Sequence, residues 1–141
     1  MKFHAWIAVC LLPFALSCTD DDYPVTLEIT QAQRLLTNDS SKVWLPVMGS
    51  AFPDCAADDQ YKFTRSIAKD QPGEYSVHPG TILCNGVGEI KGTWEVVEEN
   101  GKNQLRIHTS DTDIYQIDLL TTSQLHLTNN NQETRTFIAR P

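Results

Sequence analysis

From Lys42 to the C-terminus, apolar residues recur at every second position in short runs separated by turn-forming residues, and this pattern commits the chain to sheet. Val43, Leu45 and Val47 alternate with Trp44, Pro46 and Met48; Tyr61 and Phe63 with Gln60, Lys62 and Thr64; Tyr75 and Val77 with Glu74, Ser76 and His78. Ile90, Gly92, Trp94 and Val96 form a longer run, followed by Leu105 and Ile107, Tyr115, Ile117 and Leu119, Leu125 and Leu127, and Phe137 with Ala139. Successive side chains of a strand point to opposite faces, so each of these eight runs predicts a strand with one buried face.

The connections are short: Gln71-Pro72-Gly73, Glu99-Asn100-Gly101-Lys102, Ser110-Asp111-Thr112, Thr121-Thr122-Ser123 and Asn129-Asn130-Asn131-Gln132. Asn100-Gly101 is the strongest turn signal, since both residues tolerate the positive φ of a tight hairpin. Short links join antiparallel neighbours, and strands with one apolar face each satisfy their edges by closing into an up-and-down barrel. The expected fold is all-β, an eight-stranded antiparallel barrel, with a two-sheet sandwich as the alternative. Ahead of it, Thr30-Gln31-Ala32-Gln33 has the form of a capping box. A short helix is predicted from Gln31 to about Leu36, burying Ala32, Leu35 and Leu36 and stopping at Asn38-Asp39-Ser40-Ser41.

The N-terminus reads as an address. Lys2 precedes an apolar stretch from Ala5 to Leu16, interrupted by Pro13 and shorter than the roughly 20 residues of a spanning helix. Ser17-Cys18 then supplies a small residue at a cleavage site and a thiol to carry lipid. Ala15-Leu16-Ser17 also satisfies an ordinary secretory signal, but Cys18, Cys55 and Cys84 leave an odd thiol that lipidation of Cys18 would consume. The expected organisation is a cleaved signal over 1–17, a lipidated cysteine with an acidic tether over 18–29, and one barrel domain over 30–141. The lipid is then the contact with membrane.

Three other observations bear on function. The net charge of -7 argues against nucleic acid, whose binding needs clustered Lys and Arg. Cys55 and Cys84 fall in loops that can meet near one mouth of a barrel, and export makes a disulfide the default. His78, His108 and His126 lie at strand positions away from the apolar series without metal-ligand spacing, so neither a metal nor another cofactor is expected. An enzyme is the least supported class: no nucleophile elbow, zinc-protease motif or phosphate loop is present, and Asp58-Asp59 are adjacent residues that point apart unless the chain bends.

Leu35-Leu36-Thr37-Asn38-Asp39-Ser40-Ser41-Lys42-Val43-Trp44 resembles the opening of the lipocalin-like domains of lipoproteins from gliding and gut-dwelling Gram-negative bacteria. Cys55-Ala56-Ala57-Asp58-Asp59-Gln60-Tyr61-Lys62-Phe63, Gly73-Glu74-Tyr75, Cys84 and Gly92-Thr93-Trp94 continue the resemblance to the C-terminus, while Pro46 within the first strand departs from it. Cys18-Thr19-Asp20-Asp21-Asp22 is similar to the acidic export signal such bacteria place after the lipidated cysteine, which implies the outer face of the outer membrane. A periplasmic or secreted product is the alternative. The resemblance implies a lipocalin-like barrel, a fold that often holds one small apolar ligand. Tyr61, Phe63, Tyr75, Trp94, Tyr115 and Phe137 are the candidate lining residues, unless they fill the interior outright. In that case the protein is a surface interaction module that binds a partner protein or glycan through its loops.

Overall fold

The computed structural model describes residues 26–68 and 71–141. Cys18, Asp20, Asp21, Asp22 and the signal segment lie outside the described residues. In chain order the elements are α1 (Ile29–Thr37), β1 (Ser41–Pro46), β2 (Gln60–Thr64), β3 (Gly73–His78), β4 (Ile90–Glu99), β5 (Lys102–His108), β6 (Thr112–Leu120), β7 (Gln124–Asn129) and β8 (Thr134–Ala139), with single 3-10 turns at Asp54–Ala56 and Cys84–Gly86. Every strand pairs with its predecessor, and β1 pairs antiparallel with β8, so the sheet closes in chain order into an eight-stranded barrel with no free edge. The barrel expected from the periodicity is therefore the fold, and the sandwich is excluded. Asn100 at φ 53 and Gly101 at φ 73 make the β4–β5 hairpin turn in the left-handed region anticipated for them.

Alternation places one face of each strand inside. Phe63, Tyr75, Val77, Trp94, Val96, Leu105, Ile107, Tyr115, Leu125, Leu127 and Phe137 are buried, as their spacing requires. Three strands depart from the sequence expectation, β4 only in that Ile90 at its start is exposed. In β1 the inward residues are Trp44, wholly buried, and Pro46, whereas Val43 and Leu45 are half-exposed. The indole decides this register, because inside it buries its ring and its N–H still reaches a carbonyl partner. Pro46 costs no ladder bond to β2, because β1 leaves β2 at Trp44 and pairs only with β8 beyond it. In β6 the register against β7 shifts between Ile117 and Leu119, so that Leu120 and not Leu119 is buried.

The helix also starts differently. It begins at Ile29 after Glu28, with no side-chain cap, so Thr30 lies inside the first turn and no capping box forms. The chain is positioned earlier, because the Leu27 N–H donates to Asn103 Oδ1 at 2.9 Å and Asn103 Nδ2 returns a bond to the Leu27 carbonyl at 2.9 Å. The buried amide of Asn103 thus treats Leu27 as an extra strand residue, and the helix follows at once. It ends where expected, at Asn38 in the left-handed conformation (φ 49, ψ 45).

The Ser-Lys-x-Trp run has a specific task at that end. Helix C-termini leave their last carbonyls without partners. Lys42 Nζ donates to the Leu35 carbonyl at 3.0 Å and to the Thr122 carbonyl at 2.7 Å, and Trp44 Nε1 donates to the Leu36 carbonyl at 3.0 Å. The Lys42 ammonium lies 4.6 Å from the Trp44 ring centroid, and desolvation holds its pKa below the ordinary value. Two alternate residues of β1 therefore lock α1, with Ala32 and Leu36 wholly buried, across one end of the barrel.

Candidate functional site

Antiparallel order sends the β2–β3, β4–β5 and β6–β7 connections to the helix-covered end and the other four to the opposite mouth. Thr26, where the described chain begins, sits at the covered end, its hydroxyl donating to the Gly101 carbonyl at 2.6 Å.

At the mouth the β1–β2 and β3–β4 loops are tied together twice. Cys55 and Cys84 form the disulfide anticipated for them, with Cα atoms 5.3 Å apart. Beside it the Thr81 N–H donates to Asp58 Oδ2 at 2.7 Å and the Gly80 N–H to Asp59 Oδ1 at 2.8 Å. The turn after Ala56 supplies the bend that two adjacent carboxylates need to meet one loop. Donation from the Thr81 backbone holds the Asp58 carboxyl below its ordinary pKa. A Cβ on Gly80 would fall 1.8 Å from Asp58 Oδ1, so this clamp requires glycine there. The acidic pair is accounted for as a loop fastening.

The residues singled out as lining all point inward. Phe63 packs against Tyr75 and Trp94 with ring centroids at 5.1 and 5.8 Å, and Trp94 Nε1 donates to the Thr64 carbonyl at 3.1 Å. Nearer the mouth, Tyr61 and Phe137 meet edge to face at 5.1 Å. Phe52, which alternation could not flag because it lies in a loop, folds over both at 5.7 and 5.0 Å. Between these rings lies an interior void of about 40 Å³, lined by Tyr61, Phe63, Tyr75, Tyr115, Arg135, Phe137 and their neighbours. A second inward residue, the charged Arg135, also escaped the sequence reading, since a lone arginine in a strand reads as solvent-facing. It shares the inward parity of Phe137, and its Nη1 donates to the Tyr115 hydroxyl at 2.8 Å.

Burial pushes the phenols up. Tyr61 is raised to about 12, by desolvation first and the Asp59 charge second; Tyr75 is raised further for the same first reason; Tyr115 rises less freely because Arg135 opposes the shift. These hydroxyls are neutral hydrogen-bonding groups throughout the physiological range.

A wider groove of about 1110 Å³ lies at the helix-covered end between α1 and the β2–β3 connection, bordered by Gln33, Arg65 and Ile67 and reaching the inward-facing Trp94 and Val96. Residues 69 and 70 of that connection lie outside the described residues. On the outer wall, Ser76 Oγ lies 3.4 Å from His78 Nε2 and His78 Nδ1 lies 3.3 Å from Glu89. This Ser-His-Glu sequence is solvent-exposed on a flat strand surface whose backbone N–H groups belong to the sheet ladder, so no oxyanion would be stabilised beside it. His108 pairs similarly with Glu95 at 3.5 Å. Among the described residues no cluster of three or more His, Cys, Asp or Glu is arranged to hold a metal ion.

The class of protein defined by this geometry is a small, disulfide-tied up-and-down β-barrel with a helix across one end and a nearly filled interior. Comparison with family models, curated proteins and solved structures finds no match for the chain.

Proposed function

We propose that the protein is a lipid-anchored envelope protein of the lipocalin-like type that works through the surface at its mouth, with the barrel as a packed support and not a container. The observation that carries this reading is the interior void of about 40 Å³. Pockets that enclose a small apolar ligand run to about 300–1,000 Å³, and 40 Å³ is close to the volume share of a single water. The loop after β3 supports the reading from outside: Ile82, Leu83 and Val87 are 64%, 48% and 51% exposed. That loop is also fastened by the disulfide and both aspartates. Apolar side chains exposed on a rigid loop are the makings of a protein interface. The chain enters the fold at the covered end, so a tether from a lipidated Cys18 would leave the mouth facing away from the membrane. The acidic run Asp20, Asp21 and Asp22 supports display on the outer face.

Tryptophan fluorescence during titration with palmitate tests the central point. A packed support gives no saturable change; stoichiometric quenching establishes a carrier and ends the proposal. A photoreactive residue at position 83 should cross-link to a discrete partner on intact cells, while one at Lys102, at the other end, should not. Intact mass of the membrane fraction should show acyl chains on Cys18.

A further inference from the structure

Closure leaves the barrel wall without an edge, but β4 outruns β3. Pairing between them stops at Gly73 with Trp94, whereas β4 goes on beside β5 as far as Glu99 with Lys102. Residues 95–99 therefore have a strand on one side only. Pro72 sits where β3 would have to continue, and a proline has no N–H to give to a ladder.

The direction of the bare backbone groups follows from the hairpin. Asn100 and Gly101 form a two-residue turn, so Glu99 and Lys102 exchange backbone bonds, and every second pair along the ladder does the same: Val97 with Gln104, then Glu95 with Arg106. Val96 and Glu98 lie between, and their N–H and C=O groups point to the side that β3 vacates. Among the described residues no backbone group outside the sheet ladders bonds to either. On that side lies the groove of about 1110 Å³, whose lining includes Trp94, Glu95 and Val96.

The groove has two unlike sides. On the inner one, Val96 is joined by Gln33 and by Ile29, 39% exposed, from α1. On the outer one stand Glu74 and Glu95. Among the described residues Glu74 makes no ion pair, and Glu95 meets only the His108 imidazole at 3.5 Å, which is charged only when protonated. Arg65, the one lysine or arginine among the described lining residues, already lies 3.5 Å from Asp39. A strand laid along this edge alternates its side chains between the two sides.

We infer that the edge of β4 at Val96 and Glu98 binds an extended peptide segment of another protein in which basic and apolar residues alternate. The segment lies antiparallel to β4 in the line of β3, with its apolar residues turned under α1 and its lysines or arginines meeting Glu74 and Glu95. Unpaired strand groups template the added strand, and the alternation selects it. The chain's own residues ahead of Thr26 do not suit the edge, because Asp20, Asp21 and Asp22 repel the same carboxylates and Pro24 lacks an N–H. A second copy, carrying a net charge of -7, is opposed by the same repulsion. The site is at the helix-covered end, so the inference does not rest on the mouth.

The test is residue-resolved amide exchange with an NMR titration of the protein at low salt. Without peptide, the Val96 and Glu98 amides should exchange faster than those of Glu95 and Val97. Acetyl-Lys-Val-Lys-Val-Lys-amide should shift the Val96 and Glu98 resonances saturably and slow their exchange at least tenfold. The same peptide with N-methylated valines, which keeps the charge but loses the donors, should not, nor should the analogue with Glu in place of Lys. Glu74→Gln combined with Glu95→Gln should weaken binding of the parent peptide several-fold and leave exchange in the unbound β4 unchanged. The inference is overturned if Val96 and Glu98 are as protected as their neighbours before peptide is added, which would mean the edge is already taken. It is overturned equally if the parent peptide gives no saturable shift at these residues, if the N-methylated or acidic peptide binds as well, or if the double variant binds unchanged.

Discussion

Opening the Cys55–Cys84 bond should cost the domain about 3.6 kcal/mol, the chain-entropy value for the observed separation of 29 residues. The structure sharpens this into a statement about mechanism. The same two loops are already joined in the folded state by Asp58 with Thr81 and by Asp59 with Gly80. If the disulfide acted by holding the native loops together, the carboxylate clamp would partly replace it, and loss of one would be felt mainly when the other was absent. If it acts by restricting the unfolded chain, the clamp is irrelevant to it and the two effects add, because distinct states are perturbed. The experiment is urea unfolding of four samples: oxidised and reduced wild type, and oxidised and reduced D58N. Comparing reduced with oxidised protein leaves the side chains in place, so no cavity confuses the result. A loss of about 3–4 kcal/mol on reduction, equal within about 0.5 kcal/mol in the two backgrounds, is expected, together with a larger m-value as the unfolded chain expands. For a domain of this size that loss lowers the melting temperature by about 10–20 °C. A loss below about 1 kcal/mol, or one that doubles in the D58N background, would refute the argument.

Trp44→Phe removes the donor to the Leu36 carbonyl and should destabilise by about 2–3 kcal/mol, whereas Lys42→Met, at a half-exposed site where water replaces the ammonium, should cost about 1 kcal/mol; both should also reduce amide exchange protection in α1 relative to β5. Gly80→Ala drives a methyl into Asp58 and should mobilise the β3–β4 loop, read as heightened exchange at Thr81 and Ile82 with β6 and β7 unaffected. Raised tyrosine pKa values give alkaline unfolding: the folded pKa of Tyr61 is about 12 against 10 unfolded, so its contribution is complete below pH 10 and is lost as pH rises through 12, Tyr75 and Tyr115 acting in the same direction. Absorbance at 295 nm should show phenolate appearing together with loss of near-ultraviolet circular dichroism; free titration of these phenols in folded protein near pH 10 would contradict their burial.

How far the sequence reached can be traced residue by residue. Alternation alone specified the eight strands and the inward placement of Phe63, Tyr75, Trp94, Tyr115 and Phe137, because a period of two has one physical cause, a sheet with one dry face. Short connections dictated antiparallel neighbours, Asn100-Gly101 named its own turn, and Cys55 with Cys84 declared a bond, since each of these is a local or covalent preference. The tertiary structure decided what depends on partners distant in the chain. The direction β1 faces was settled by the Leu36 carbonyl waiting for an indole N–H. The start of α1 was settled by Asn103, some seventy-six positions away from Leu27. Leu120 displaced Leu119 from the core through a shift against β7 that nothing within β6 reveals. Two residues of the mouth belong to this second group: Phe52 comes from a loop, Arg135 from a strand position that reads as exposed, and neither has an apolar period to declare it. Whether an eight-stranded barrel is full or hollow is a matter of how side chains from all strands and one loop share the same volume, and no single stretch of sequence carries that sum.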